Sequence, residues 1–306
     1  MTYSKPLISV IIPTYNRGYV IKKTINSVLQ QTYDHFEIII IDDASNDNTE
    51  SIVKSIKDKR IKYIKLQENT KGTKPRNVGI NVSNGEYIAF LDSDDEWLPT
   101  KLEKQLKFIL SFGEINTNII CFTRVIIKDE KLEIYRKNKP LNKNEDIMDY
   151  ILVGNNVVQT STFMISNAIA KKTLFDPGLK KHQDWDFCLR LRNNNATFFY
   201  LPECLTVWNV DKERNDRISN SYKKQEISLD WLNSKKNELS LKSQWAFKMI
   251  IVDYLIDRRE RTAAMKIIFT AFFHRSISFM TLLKKLTKVF LPYKIHGKIK
   301  LLLKKI

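Results

Sequence analysis

Short apolar runs alternate with segments of helical periodicity over the first hundred residues. The runs lack polar alternation, which is typical of strands buried on both faces of a parallel sheet. Between them, apolar side chains recur at helical spacing. Strands are predicted at residues 7–14, 36–41, 61–66 and 86–91, and helices at residues 20–29, 52–56 and 73–82. This alternation predicts an α/β protein with a doubly wound sheet.

The rest of the chain is predicted to add strands first and helices afterwards. A strand over residues 155–166 is expected to face the functional site, and a turn over 175–181 leads into a helix near Asp184. Two polar stretches each allow two interpretations. Residues 128–144 are predicted to form a hairpin or a mobile loop, and residues 211–221 are predicted to form a lid or a linker. The other predicted elements are a helix at 99–111, strands at 119–127 and 196–210, and helices from residue 222 onward.

Composition and charge narrow the class of protein. Hydrophobic residues make up 43% of the 306, which allows a sizeable core and excludes global disorder. The three cysteines are widely spaced, so we expect a reducing compartment without a disulfide framework or a zinc site. We expect neither a signal peptide nor a membrane-spanning helix. The net charge is +17, and no Asp or Glu follows Glu260, so the basic C-terminal part is expected to bind an anionic partner.

Polar side chains follow three of the predicted strands at the points where the strands end. They are Tyr15, the pair Asp42 and Asp43, and the pair Asp92 and Asp94. Carboxyl ends of parallel strands form the ligand crevice of such sheets. Clustered carboxylates repel one another, and a divalent cation such as Mg²⁺ or Mn²⁺ relieves the repulsion. A nucleoside diphosphate with a metal fits this set, although an acidic turn with Asp95 as a helix N-cap is the alternative.

Five segments together resemble the family 2 glycosyltransferases of the GT-A fold. Neither a GxGxxG fingerprint nor a P-loop is present in the sequence. The resemblance implies a GT-A-type, Rossmann-like mixed, mostly parallel sheet flanked by helices, with a C-terminal helical extension. It implies a catalytic domain over residues 1–215 and a basic extension over 216–306. The segments are residues 9–17, 41–45, 75–79, 85–95 and 182–190.

The resemblance also implies a nucleotide-binding set. Tyr15 would stack on the base, usually uracil, and Pro13 belongs to the same strand end. Asp43 would accept a hydrogen bond from the base with Asp42 nearby, and Arg76 would contact the base or the phosphate side. In the alternatives, Tyr15 packs beside the first strand, Asp42 caps a helix or a loop, and Arg76 is a surface helix residue.

Metal binding and catalysis are assigned to three carboxylates by the same resemblance. Asp94 would ligate Mn²⁺ or Mg²⁺, and Asp92 would hold the ribose or share the metal. Asp184 would be the general base, with Asp186 as its competitor, although Asp186 is also well placed for an i,i+4 pair with Arg190. Gln183 replaces the usual Glu, and the loss of a repulsive neighbour is expected to lower the pKa of Asp184. Pro75 replaces a small residue.

The implied function is inverting transfer of a sugar from a nucleotide-diphosphate sugar, with UDP favoured by resemblance, to an acceptor hydroxyl. The basic tail, split by Pro292, predicts an interfacial helix pair on an anionic leaflet. It therefore suggests that the acceptor is a lipid-linked glycan of bacterial surface polysaccharide synthesis. The protein is then expected to be cytoplasmic and peripheral on the inner face of the membrane. No nucleic acid partner is expected. The alternatives are a nucleotidyltransferase, or a basic membrane- or polyanion-binding protein with a degenerate transferase domain.

Overall fold

The computed structural model describes residues 5–70, 73–113, 118–129, 132–210 and 224–290. The chain divides into two compact units, residues 1–220 and 221–306, named here the sheet unit and the helical unit. The domain boundary predicted after residue 215 and the predicted lid or linker over 211–221 both lie outside the described residues.

The sheet unit combines strands with flanking helices. Its strands are β1 (Ile8–Thr14), β2 (Phe36–Asp42), β3 (Ile61–Lys65), β4 (Tyr87–Phe90), β5 (Glu96–Trp97), β6 (Ile119–Lys128), β7 (Glu133–Tyr135), β8 (Met164–Ser166) and β9 (Thr197–Asn209). Its helices are α1 (Ile21–Leu29), α2 (Thr49–Ser55), α3 (Lys74–Val82), α4 (Lys101–Leu110), α5 (Ile147–Leu152), α6 (Asn167–Thr173) and α7 (Gln183–Asn193), with a 3₁₀ turn at Thr160–Thr162.

The sheet is mixed and mostly parallel, as predicted. Its strand order is β3-β2-β1-β4-β8-β6-β9-β5, and β7 pairs with β6 at one side. Strand β1 is parallel to β2 and β4, and β2 is parallel to β3, so the first half of the sheet has the doubly wound arrangement. The β6–β9 pair is also parallel, while β8 runs antiparallel to both β4 and β6.

Strand β1 lies in the middle of the core, which explains its continuous apolar sequence. Ile8, Val10, Ile11 and Ile12 have no exposed surface. Helix α3 packs closely over this strand, because a Cβ atom built on Gly79 would lie 2.5 Å from Ile11 Cγ2. Glycine at position 79 therefore allows α3 to pack directly on the sheet. This packing also determines where Arg76, another residue of α3, lies.

The prediction of a strand over residues 155–166 is wrong for most of its length. Only Met164–Ser166 forms a strand, and Thr160–Thr162 is a 3₁₀ turn. The Thr162 hydroxyl donates to the Gln159 carbonyl at 2.6 Å, an example of how Ser and Thr side chains compete with a strand ladder. The segment 128–144, by contrast, contains β7, which pairs antiparallel with β6 and so adopts the predicted hairpin.

The helical unit is formed by amphipathic and apolar helices, as its sequence predicts. Trp231 of the first helix stacks on Phe247 of the second with ring centroids 5.3 Å apart. Within the residues that the structure describes, no helix has the length and apolar character needed to cross a bilayer. The helices are α8 (Lys224–Ser234), α9 (Leu241–Asp257), α10 (Arg261–Phe273) and α11 (Phe279–Phe290), with a 3₁₀ turn at Lys236–Glu238.

Candidate active site

The polar strand ends meet at one edge of the sheet. Thr14, at the end of β1, lies opposite Asp42 at the end of β2. On the other side of β1, the backbone N–H of Leu91 donates to the Ile11 carbonyl at 3.0 Å, so the residues after β4 leave the sheet beside β1. Parallel pairing therefore brings together the segments that follow Thr14, Asp42 and Leu91.

The loop after β1 is held against the loop after β2. Asn16, with a positive φ of 49°, donates through its backbone N–H to Ser45 Oγ at 2.8 Å. Asn46 donates back to Asn16 Oδ1 at 2.9 Å. Tyr15, between the strand and this double contact, keeps 37% of its surface exposed, and Pro13 lies within β1 opposite Ile41. The Tyr15 ring is thus accessible for stacking, although base stacking stays a prediction.

The two neighbouring aspartates after β2 have different surroundings. Asp42 is fully buried, where it accepts from the Ser45 N–H at 2.8 Å and from the Tyr63 hydroxyl. These contacts favour the alternative in which Asp42 caps the loop. Asp43 accepts from the backbone N–H and the hydroxyl of Thr70, at 3.0 and 2.8 Å, which links the ends of β2 and β3.

Arg76 lies at the centre of the site rather than on a helix surface. Its Nη2 atom contacts Asp92 Oδ1 at 2.5 Å, and its Nη1 atom donates to Gln183 Oε1 at 3.3 Å. The side chain is 12% exposed, and its buried Nε has no hydrogen-bond partner within the described parts of the chain. An arginine fork that is only partly satisfied suits an anionic ligand beside Asp92.

Asp184, near the start of α7, shares this cluster. The hydroxyl of Thr160 donates to its Oδ1. Burial, followed by the nearby charge of Asp92, raises the pKa of Asp184, against the opposing effects of Arg76 and Thr160. Burial is the largest of these effects, and the lowering expected from Gln183, relative to Glu at that position, stays a prediction. A raised pKa suits a carboxylate that accepts a proton near neutral pH.

Asp186, the competitor of Asp184, and the neighbouring His182 both have structural partners. Asp186 is fully buried and pairs with Arg190 at 2.8 Å, which is the predicted i,i+4 contact, and Arg190 also reaches Asp176 at 2.9 Å. His182 stacks on Trp185, and burial lowers its pKa to about 3, so the imidazole is neutral and weakly basic. Asp184 is thus the carboxylate of α7 that faces Arg76 and Asp92.

Asp95 is buried in the core of the site, and the alternative in which it is the N-cap of a helix is wrong, since the next helix begins at Lys101. It is 1% exposed and accepts from Ser161 Oγ at 2.7 Å, from Gln159 Nε2 at 2.9 Å and from the Asn209 N–H at 3.2 Å. Sequence reasoning missed these partners. The signal that could have found them is the polar run Gln159–Thr162, which interrupts an otherwise apolar segment.

The acidic loop has the chemistry of a site for Mg²⁺ or Mn²⁺. Burial, followed by the charges of Asp92 and Asp94, raises the pKa of Asp95 well above its ordinary value, so Asp92 and Asp94 lie close enough to disfavour a third negative charge. No group of three or more ligating side chains occurs among the described residues. These cations need only one or two carboxylates when a diphosphate supplies further oxygens, so Asp94 and Asp92 fit the requirement.

Comparisons with known proteins identify the family of this chain. The model of glycosyl transferase family 2 matches residues 9–174. The putative teichuronic acid biosynthesis glycosyltransferase TuaG of Bacillus subtilis is 33% identical over 73% of this chain and 86% of the relative. The amylovoran biosynthesis glycosyltransferase AmsB of Erwinia amylovora is 29% identical over 78% of this chain and 81% of the relative. The UDP-Glc:alpha-D-GlcNAc-diphosphoundecaprenol beta-1,3-glucosyltransferase WfaP of Escherichia coli is 46% identical over 34% of this chain and 41% of the relative.

Solved structures show the same fold. Staphylococcus aureus TarS in complex with UDP-GlcNAc superposes with a TM-score of 0.60 at 21% identity, over 85% of this chain and 82% of TarS. The mannosyltransferase PcManGT of Pyrobaculum calidifontis, in complex with GDP-Man and Mn²⁺, gives 0.53 at 14% identity, over 81% of this chain and 65% of PcManGT. The family match spans more than half of the chain and TuaG matches along most of its length, so the chain belongs to glycosyl transferase family 2 and its sheet unit has the GT-A-type fold.

Proposed function

We propose that this protein is an inverting, metal-dependent glycosyltransferase that uses a nucleotide-diphosphate sugar. The observation that carries the proposal is the cluster of Asp184, Arg76 and Asp92 at the carboxyl ends of parallel strands. It combines a buried proton acceptor with a partly satisfied guanidinium and acidic residues. Sugar transfer from a nucleoside diphosphate needs each of these groups.

The donor is a UDP-sugar, bound across the strand ends. The Tyr15 ring stacks on the base, Asp43 accepts a hydrogen bond from the base, and Arg76 lies on the phosphate side with Asp92 toward the ribose. The name of WfaP, which gives UDP-Glc as its donor, supports UDP over other nucleotides. Pro13 belongs to this binding surface, whereas the buried contacts of Asp42 support a role in shaping the loop.

The reaction is a single in-line displacement. The Asp184 carboxylate takes the proton from the acceptor hydroxyl as its oxygen bonds to the anomeric carbon of the donor sugar. The bond from that carbon to the phosphate oxygen breaks on the opposite face, and the nucleoside diphosphate leaves with the electron pair. Configuration is thereby inverted. Asp94 would hold Mn²⁺ or Mg²⁺, with Asp92 either sharing the metal or holding the ribose, and the cation would supply positive charge against the leaving diphosphate.

The acceptor is a lipid-linked glycan of bacterial surface polysaccharide synthesis. Support comes from the names of TuaG and AmsB, which refer to polysaccharide biosynthesis, and from the diphosphoundecaprenol acceptor in the name of WfaP. A lipid-linked acceptor requires the enzyme to work at a membrane surface. We therefore place the protein at the cytoplasmic face of the cell membrane as a peripheral protein.

Helix α11 offers the surface for this association. At about 100° per residue, Phe279, Leu283 and Phe290 fall within about 40° of one another on the helix. They are 62%, 41% and 61% exposed, whereas Leu282, on another side of the helix, is buried. Exposed apolar side chains beside Lys284 suit the interface of an anionic leaflet. The predicted second helix after Pro292 lies outside the described residues.

A transfer assay tests the proposed chemistry. Purified enzyme is incubated with Mn²⁺, a panel of UDP-sugars and a bacterial lipid extract, and the release of UDP and the glycosylated lipid are measured. Asp184→Asn, which is nearly isosteric, should lose transfer by at least about a hundredfold while its thermal unfolding stays cooperative. Asp149→Asn, at a partly exposed position of α5, is the control and should keep activity. A fully active Asp184→Asn enzyme would refute the base assignment.

The alternative function, a nucleotidyltransferase, would release a different product. That enzyme would consume a nucleoside triphosphate and release pyrophosphate, whereas the proposed reaction releases a nucleoside diphosphate. The Asp184 carboxylate supports sugar transfer, because a nucleotidyltransferase would leave it without a role. Release of pyrophosphate from a triphosphate, without transfer from any UDP-sugar, would favour the rival.

A further inference from the structure

A short polar turn joins the two sides of the candidate active site. The turn Thr160–Thr162 precedes β8 and is completely buried. One of its residues contacts the proposed base on α7, and the next residue contacts the acidic loop after β4. Since α7 and β4 are distant in sequence, this turn is a direct physical link between the proton acceptor and the donor side.

Thr160 provides the contact to the proposed base. Its hydroxyl donates to Asp184 Oδ1, and its backbone N–H also hydrogen bonds to this residue. Both hydrogen bonds stabilise the charged carboxylate, and two donors from one residue restrict where the carboxylate can lie. Arg76 contributes opposite charge, whereas the hydrogen bonds from Thr160 are directional and therefore orient the Asp184 carboxylate.

Ser161 provides the contact to the acidic loop. Its Oγ accepts from the backbone N–H of Asp92 at 3.0 Å and donates to Asp95 Oδ2 at 2.7 Å. One hydroxyl thus fixes both ends of the segment that carries Asp94. Gln159 adds a second hydrogen bond to Asp95, with its Nε2 donating at 2.9 Å.

The turn is itself fixed from the core. Trp97 Nε1 donates to the Ser161 carbonyl at 2.8 Å, and Thr206 Oγ1 donates to the same oxygen at 3.2 Å. The Thr162 carbonyl accepts from Gln105 Nε2 at 2.9 Å. Side chains of β5, β9 and α4 therefore hold the turn, so the hydroxyls of Thr160 and Ser161 project from a fixed backbone.

We propose that Thr160 and Ser161 are positioning residues that set the distance between the base carboxylate and the donor-binding carboxylates. The inference rests on the proposed function. Transfer requires the acceptor oxygen to lie within reach of both Asp184 and the anomeric carbon, and small displacements of such groups are costly. Thr160 acts through Asp184, and Ser161 acts through the backbone of Asp92.

The first test changes Thr160 to Val, which keeps the shape but removes the hydroxyl. The Asp184 carboxylate then loses a donor, so its pKa rises further. Because the base must be deprotonated, the acidic limb of kcat/KM should move to higher pH by about one unit, with about tenfold lower activity below the limb. Thr160→Ser restores the hydroxyl and should return the limb to its original position. A residue of purely structural importance would lower activity at all pH values alike.

The second test changes Ser161 to Ala. The Asp92 N–H then loses its acceptor and Asp95 loses a donor, while Thr160 remains. We expect a severalfold higher KM for the donor and an unmoved acidic limb, the reverse of the Thr160→Val pattern. If both variants shift the same kinetic parameter, the assignment of the two residues to two sides of the site is wrong.

A measurement independent of turnover separates this inference from the proposed function. The side-chain carboxyl carbon of Asp184 is followed by NMR titration in ¹³C-Asp protein, with the signal assigned by its loss in Asp184→Asn. We expect its midpoint in Thr160→Val to lie about one pH unit above that of the wild type, and that of Thr160→Ser to match the wild type. Equal midpoints in wild type and Thr160→Val would overturn the inference. An inactive wild type with shifted midpoints would refute only the proposed function.

Discussion

At the scale of single residues, Lys101 shows how strongly burial acts in this core. It begins α4 with no exposed surface, and its Nζ lies 3.8 Å from the centroid of the Trp97 ring and 3.4 Å from the Phe163 carbonyl. Burial lowers the pKa of Lys101 to about 7. Between pH 7 and its ordinary pKa of 10.5, the unfolded chain binds a proton that the folded chain does not. Its contribution to stability therefore rises as pH increases through this window.

Replacing Lys101 by Met should consequently stabilise the protein. At pH 6 the charged amine opposes folding by on the order of 5 kcal/mol, partly offset by the contact with Trp97. We expect a net gain of about 1–3 kcal/mol at pH 6 that shrinks between pH 7 and 10. Urea denaturation at several pH values measures it. Lys104→Met, at an exposed position of the same helix paired with Glu203, should change little. Destabilisation of Lys101→Met at pH 6 would contradict this account.

At the scale of secondary-structure elements, the close packing of α3 on β1 positions Arg76. An Ala at Gly79 would place its Cβ 2.5 Å from Ile11 Cγ2. We expect Gly79→Ala to destabilise by about 1–3 kcal/mol, although Ala favours helices, because overpacking moves α3 away from the sheet. Chemical denaturation provides the free energy of unfolding.

A double-mutant cycle checks that steric cause. Ile11→Ala removes the clashing methyl groups, so the double variant with Gly79→Ala should lose less stability than the sum of the single variants. Gly178→Ala is the control, since its Cβ would meet only Asp176 Oδ1 at 3.3 Å. Additive losses in the cycle would exclude a direct clash with Ile11.

Among the secondary-structure elements, the sequence predicted the first four strands but not the 3₁₀ turn at Thr160–Thr162. Apolar runs located β1 to β4 because a strand buried on both faces tolerates little else, and the strand ends identified the edge where Asp43 and Asp92 lie. The 3₁₀ turn at Thr160–Thr162 was missed because its stability comes from partners far along the chain. Ser161 reaches Asp95 and the Asp92 N–H, more than sixty positions away. Periodicity carries no information about such contacts.

At the scale of the whole molecule, catalysis and membrane association are expected to reside in different units. We predict that the whole 306-residue chain sediments with vesicles containing phosphatidylglycerol and not with pure phosphatidylcholine, because charge and apolar burial act together. Phe279→Ser with Phe290→Ser should reduce binding to anionic vesicles at least about fivefold, and so should Arg275→Gln with Lys284→Gln. Leu241→Ser, which changes a 72% exposed side chain at the start of α9, is the matched control.

Salt dependence separates the two contributions to membrane binding. Raising the ionic strength should weaken the wild type toward the level of the charge variant, because screening acts on the basic residues and leaves apolar burial in place. Equal binding of the wild type and the Phe279/Phe290 variant would contradict the assignment of α11 as the docking face.

The most direct test of the central claim is a thermal unfolding series of the whole protein with UDP, GDP, dTDP and CDP, each with Mn²⁺ and with a chelator. A nucleotide at about 100 times its Kd should stabilise the wild type by roughly 2.7 kcal/mol. We predict that UDP with Mn²⁺ gives this shift, that chelator or Asp94→Ala removes it, and that Asp184→Asn keeps it. A wild type that no nucleotide stabilises, or a UDP shift that persists in Asp94→Ala and with chelator, would contradict a metal-dependent nucleotide-sugar enzyme.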